Sequence, residues 1–129
     1  MNKLIIALLF VFVSSNAMAE WVKIKRNKYA TGYANPATIV KDGNIARMWS
    51  LVDCKAVTRF IGGPPFLSIK SQEEFNCKEQ KLRTLVYTMH SGNMGEGEVV
   101  FTDSNPSIWA TATAESGMED FLKIACGQK

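Results

Sequence analysis

The chain has 129 residues, 47% of them hydrophobic, and a formal net charge of +3. That length admits one domain with a single modest core, and so small a charge does not suit a dedicated nucleic-acid binder. One histidine and three cysteines, with no C-x₂-C or H-x₃-H spacing among them, exclude a zinc site of the usual kind, and no cofactor motif is present.

The chain opens as a secretory signal peptide. Lys3 supplies the positive start, Leu4 to Val13 is an unbroken apolar run, and Ala17 and Ala19 are the small residues a signal peptidase needs. Ten residues of helix cover about 15 Å, half of a bilayer's hydrocarbon core, so the run is too short to anchor. Cleavage is expected between Ala19 and Glu20, separating a signal peptide (1–19) from a single domain (20–129) of net charge +2. No cysteine lies in residues 1–20, so the lipoprotein route is not encoded there. No transmembrane anchor is expected in the mature form. The periplasm is the default destination, with the outer-membrane surface or secretion beyond it.

Short β-prone runs then alternate with turn signals. Trp21–Arg26 alternates Val22 and Ile24 with Lys23 and Lys25, the period of a half-buried strand. Asn27 and Lys28 mark a turn, and Tyr29–Ala34 predicts a second strand that Asn35-Pro36 should end. Ala37–Lys41 is a third short run. Asp42-Gly43-Asn44 is the strongest hairpin signal, and Ile45–Val52, apolar on both faces, predicts a central strand covered on both sides. Two glycines and two prolines make Ile61–Pro65 a loop. Long strands follow over Phe66–Cys77, bent near Ser71, and Lys81–Ser91, joined at Lys78–Gln80. Gly92–Gly97 is a glycine-rich turn, Glu98–Thr102 a strand, Asp103–Ser107 a loop, and Ile108–Thr113 a last extended run.

The end changes period. Met118, Phe121, Leu122 and Ala125 fall on one helical face, Ser116 with Glu119 matches a capping box, and Gly127 stops the helix. So short a helix is marginal alone and must dock on the sheet. The fold class is therefore α+β: an antiparallel sheet of about six strands with a C-terminal helix packed on one face and one disulfide.

Three cysteines in an exported chain leave one disulfide and a free thiol, or an intermolecular bridge. The favoured pair is Cys77 with Cys126, which would tie the helix down; closing that loop is worth about 4 kcal/mol in the chain-entropy description. Cys54, in an apolar-rich stretch, reads as a buried free thiol.

In order and spacing, Trp21, the segments Tyr33–Ile39, Met48–Asp53 and Glu74–Cys77, Arg83, Ser91–Gly95, Trp109 and the helix ending at Cys126 resemble the surface-adhesin protein E family of proteobacterial exported proteins. The resemblance implies an antiparallel sheet and terminal helix tied by a disulfide mapping onto Cys77 and Cys126. It also implies adhesion to host matrix and serum proteins such as laminin, vitronectin and plasminogen, with association as dimers. Two features depart from it. The chain lacks a lipobox cysteine, and the segment before Cys77 sets one lysine, Lys70, against Glu73 and Glu74 rather than carrying a basic stripe.

No constellation supports catalysis. Cys54, His90 and Asp53 lack a nucleophile signature, no G-x-S-x-G elbow is present, and Gly92, Gly95 and Gly97 lead into a strand rather than the helix a phosphate loop needs. Glu73 and Glu74 read as a solvated strand edge. His90 reads as a strand-end residue, solvated or hydrogen-bonded, and most aromatics, Phe101 among them, as core. The candidate contact residues are Trp21, Lys23, Lys25, Arg26 and Lys28, which also fit an edge strand defended by lysines, and Met94 at the tip of the glycine-rich loop. The expected function is a non-enzymatic binding module of the envelope with a protein partner. The alternative is a periplasmic structural or assembly partner that works as a homodimer.

Overall fold

The computed structural model describes residues 20–127, so the signal-peptide segment lies outside the described residues. Six strands follow one another across one sheet: β1 (Val22–Arg26), β2 (Ala30–Asp42), β3 (Ile45–Arg59), β4 (Pro65–Asn76), β5 (Lys81–His90) and β6 (Val99–Asp103). Each pairs antiparallel with the next, as short turns between sequential strands dictate. A short β7 (Ala110–Thr111) pairs with the start of β5, beside Lys81 and Leu82, while β6 pairs with its end. The C-terminal helix α1 spans Met118–Cys126.

Residues directly opposite in an antiparallel ladder share a face. Ala46, Phe75 and Leu82 form one such row across β3, β4 and β5, and α1 lays Phe121, Leu122 and Ala125 onto it. Phe75, Met48 and Leu122 are wholly buried there. Gly32 lets the helix approach, because a Cβ at that position would sit 3.1 Å from the Phe121 ring. The Cys77–Cys126 disulfide, with Cα atoms 5.7 Å apart, ties the last helical turn to the end of β4. Lys41 Nζ donates to the Cys126 carbonyl at 2.8 Å, placing a cation at the negative end of the helix.

Several local expectations are corrected. Pro36 does not end the second strand: β2 runs on to Asp42 through an irregularity between Asn35 and Val40. Thr38 makes this workable, its hydroxyl donating to the Asn35 carbonyl at 2.7 Å and accepting the Trp49 amide at 3.0 Å in place of a ladder partner. The capping box does not form. Gly117 precedes the helix in the left-handed conformation, Ser116 Oγ accepts the Met118 amide at 3.3 Å, and Glu119 pairs with Lys123 instead. The run after Ser107 keeps only two residues of strand. Finally, β3 is central but unequally covered: Leu51 is buried, whereas Val52 is 40% exposed.

Candidate interaction surface

Among the described residues, the face opposite the helix carries no second layer of secondary structure, only a single 3₁₀ turn, Asn93–Gly95, folded down upon it. Asp53 holds that turn from β3: its Oδ1 accepts the Met94 amide at 2.7 Å and Asn93 Nδ2 at 3.0 Å. Ser68 holds it from β4, donating to the Gly92 carbonyl at 2.6 Å and accepting the Gly95 amide at 2.8 Å. Gly95 must be glycine on two counts. Its φ is +73°, and a Cβ would lie 2.7 Å from Lys70 Cδ. Met94, expected at an exposed tip, is half-buried in this pinned turn.

The basic cluster is dispersed. Side chains of β1 divide between the two faces of the sheet, with an irregularity between Lys23 and Lys25. Lys25 lies on the helix side, 3.8 Å from Asp120. Lys23 stands opposite Tyr33 on the other face, and Arg26 opposite Thr31 is exposed. Lys28 occupies the following turn, with its ammonium 5.1 Å above the Tyr29 ring. Trp21 is half-buried in a hollow with Trp49.

Both carboxylates read as solvated are buried. Glu74 accepts Arg47 Nε at 3.0 Å and Arg83 Nε at 2.9 Å, and the Arg83 guanidinium lies 4.7 Å over Trp109. Burial alone would raise its pKa, but the hydrogen bonds and charges of the two arginines together hold it below the usual carboxylate range. Glu73, on the helix side, has Ser50 Oγ as its donor at 2.7 Å, and burial pushes its carboxyl up. His90 is buried, its Nε2 2.8 Å from Thr88 Oγ1 and its Nδ1 without a partner. Burial first, and Lys70 second, hold its pKa down and keep the ring neutral. Cys54 packs with Phe66 and Met89, away from solvent. Among the described residues no cluster of metal-ligating side chains occurs and no helix is long and apolar enough to cross a membrane.

The most exposed apolar surface lies at the β3–β4 turn. The Gly63 amide closes a turn onto the Phe60 carbonyl at 2.9 Å, and Gly62 takes the positive φ of +78° at its third position. That geometry throws the second residue outward, and Ile61 is fully exposed. Phe60, half exposed, rests on Phe66 with ring centroids 5.2 Å apart. Together with Tyr87 and Phe101 these residues surround a shallow hollow of about 250 Å³. Ile61–Pro65 was legible as a loop from its two glycines and two prolines. Phe101, expected in the core, is 43% exposed, because β6 is the other edge of the sheet and none of the described strands pairs beyond it.

Comparison with known proteins agrees with this architecture. Structures of Haemophilus influenzae protein E superpose with TM-scores of 0.65 for the selenomethionine form and 0.61 for crystal form II, at 14% and 13% identity. Both matches cover 86% of this chain, and 88% and 97% of the respective relatives. At that identity the likeness establishes the fold. No curated protein matches the chain in sequence. The family model for surface-adhesin protein E, however, matches residues 21–127. The chain therefore belongs to the surface-adhesin protein E family.

Proposed function

We propose that the chain is an exported, non-enzymatic binding module whose contact surface is the apolar end formed by Phe60, Ile61 and Phe101. The observation that carries this reading is the exposure of Phe60 and Ile61, on a turn closed by the Gly63–Phe60 backbone hydrogen bond, beside Phe101 on the edge strand β6. Burying them against a partner removes apolar area from water. Family membership points to a protein partner, and the host matrix and serum proteins laminin, vitronectin and plasminogen are the first to test. Export by cleavage after Ala19 would bring the module to the envelope.

Immobilised laminin, vitronectin and plasminogen are to be offered to the purified chain and to a Phe60→Ser/Ile61→Ser variant. Saturable binding to at least one, weakened at least about tenfold in the variant, is the expected result. Equal binding by both forms would move the contact surface elsewhere. Failure to bind any of the three, with a dimer in sedimentation that the variant abolishes, would favour a structural role through self-association of the same apolar end. Cell fractionation and N-terminal sequencing test export directly: the mature chain should begin at Glu20 and lie outside the cytoplasm.

A further inference from the structure

A second site lies on the helix-free face, built from different residues. The irregularity in β2 carries Thr38 back toward β3 and leaves Asn35 and Trp49 side by side in the ladder. Trp21, just before β1, closes the other side. Between the two indoles is a hollow of about 210 Å³ lined by Trp21, Asn35, Thr38, Trp49 and Lys70.

Two polar features of this hollow point to a ligand. Asn35 is 5% exposed, and its side-chain oxygen has no hydrogen-bond partner. A buried amide is ordinarily satisfied, and an unsatisfied one is costly until something supplies the missing bond. Lys70 makes no ion pair among the described residues, and its ammonium stands 6.0 Å from the Trp49 ring centroid. Its carbon stem is packed against Gly95, so the turn pinned by Asp53 and Ser68 also fixes the lysine beside the hollow.

We propose that Trp21, Trp49, Asn35 and Lys70 form a subsite for one acidic ring of a saccharide. An indole face carries negative quadrupole density, which attracts the polarised C–H bonds on the apolar face of a pyranose. The Asn35 amide and the Thr38 hydroxyl suit ring hydroxyls, which both donate and accept. Lys70 supplies the charge for a carboxylate or sulfate, and such charge-assisted bonds are the strong ones. A purely apolar ligand would leave the amide and the ammonium unpaired. Single-stranded nucleic acid needs a track of cations along its backbone, and Lys70 is the one cation among the residues that line the hollow.

The test titrates the purified chain, by tryptophan fluorescence and calorimetry, with hexasaccharides of hyaluronan (carboxylate) and heparin (sulfate). Neutral chitin hexasaccharide, oligothymidylate and a polyproline peptide serve as comparisons. Saturable binding to at least one acidic saccharide is expected, with the stronger arm identifying the anionic group. Trp49→Ala and Lys70→Ala should each weaken it about tenfold or more, with Lys70→Arg restoring part of the loss. Should Trp49→Ala melt early, Trp21→Ala, which alters a residue outside the strands, gives the same reading. The Phe60→Ser/Ile61→Ser variant should bind the saccharide normally, which separates this site from the protein-binding end. No saturable binding to either acidic saccharide, equal affinity for the neutral one, tighter binding of the oligonucleotide or peptide, or indifference to Lys70→Ala would each overturn the proposal.

Discussion

Adjacent glutamates in one strand meet opposite fates. Glu73 points under the helix, where Ser50 is its hydrogen-bond donor and burial raises its pKa. A carboxyl raised in the folded state contributes stability that is complete below its ordinary value of 4.5 and is lost as pH climbs through the raised value. Glu73→Gln keeps an acceptor for Ser50 and removes the ionisation. Its melting temperature at pH 7 should equal or exceed that of the parent, with a flatter profile as pH climbs above 4.5. Glu74 behaves in the opposite sense. Its contribution is present above the ordinary carboxylate value and lost as pH falls through the lowered one. Glu74→Gln should cost about 2 kcal/mol at neutral pH in urea unfolding, mostly through Arg83, since half-exposed Arg47 is screened by water. The two variants should therefore change the stability curve in different windows, Glu73→Gln above the ordinary carboxylate value and Glu74→Gln below it.

At the scale of elements, the helix and the 3₁₀ turn are each secured from outside themselves. Nine residues do not sustain a helix in water, and the residue at its N-cap, Gly117, has no side chain to cap it with. Cys77→Ser/Cys126→Ser should thus lose about 4 kcal/mol of stability. Hydrogen exchange should accelerate first in residues 118–126, before the sheet opens. The turn over the opposite face depends on Asp53. Asp53→Ala removes two hydrogen bonds and should speed exchange at Met94 and Gly95, at a cost of about 1–2 kcal/mol, while leaving the helix protected. Because Gly95 packs on Lys70, the same change should loosen the lysine and weaken acidic-saccharide binding without touching either indole.

Across the whole molecule, a sheet of sequential hairpins has one face closed by a disulfide-tied helix and the other left partly open. Its two edges, β1 and β6, are managed differently. β1 presents lysines on both faces, a usual guard against stray strand pairing, whereas β6 exposes Val99 and Phe101 beside the apolar turn. Association is therefore expected at the β6 side. Crosslinks from concentrated protein should fall near residues 60 and 101 and not near β1, and the Phe60→Ser/Ile61→Ser variant should be the more soluble form. Non-reduced peptide mapping should recover Cys77 joined to Cys126, with Cys54 alkylated only after unfolding, since it is buried beneath Phe66 and Met89.

What the residues alone determined is local or covalent in origin. Period-two alternation in Trp21–Arg26, the Asp42-Gly43 turn, the Gly-Gly-Pro-Pro loop and the helical face of Met118–Ala125 each act over a few neighbours, so the strand order and terminal helix were legible in them. The disulfide was legible because a helix too short to stand alone carries one of only three cysteines. The tertiary structure decided whatever depends on register between strands distant in sequence. An irregularity that sets four residues of β2 against one of β3 cannot be seen in a composition, yet it carried β2 past Pro36 beside the Asn35–Trp49 pair. Side chains on neighbouring strands bury Glu74 between Arg47 and Arg83, and only the sheet's edge leaves Phe101 exposed. Lys70 gained a fixed position because a turn 25 residues further along folds back onto it, a contact with no signature in the sequence around it.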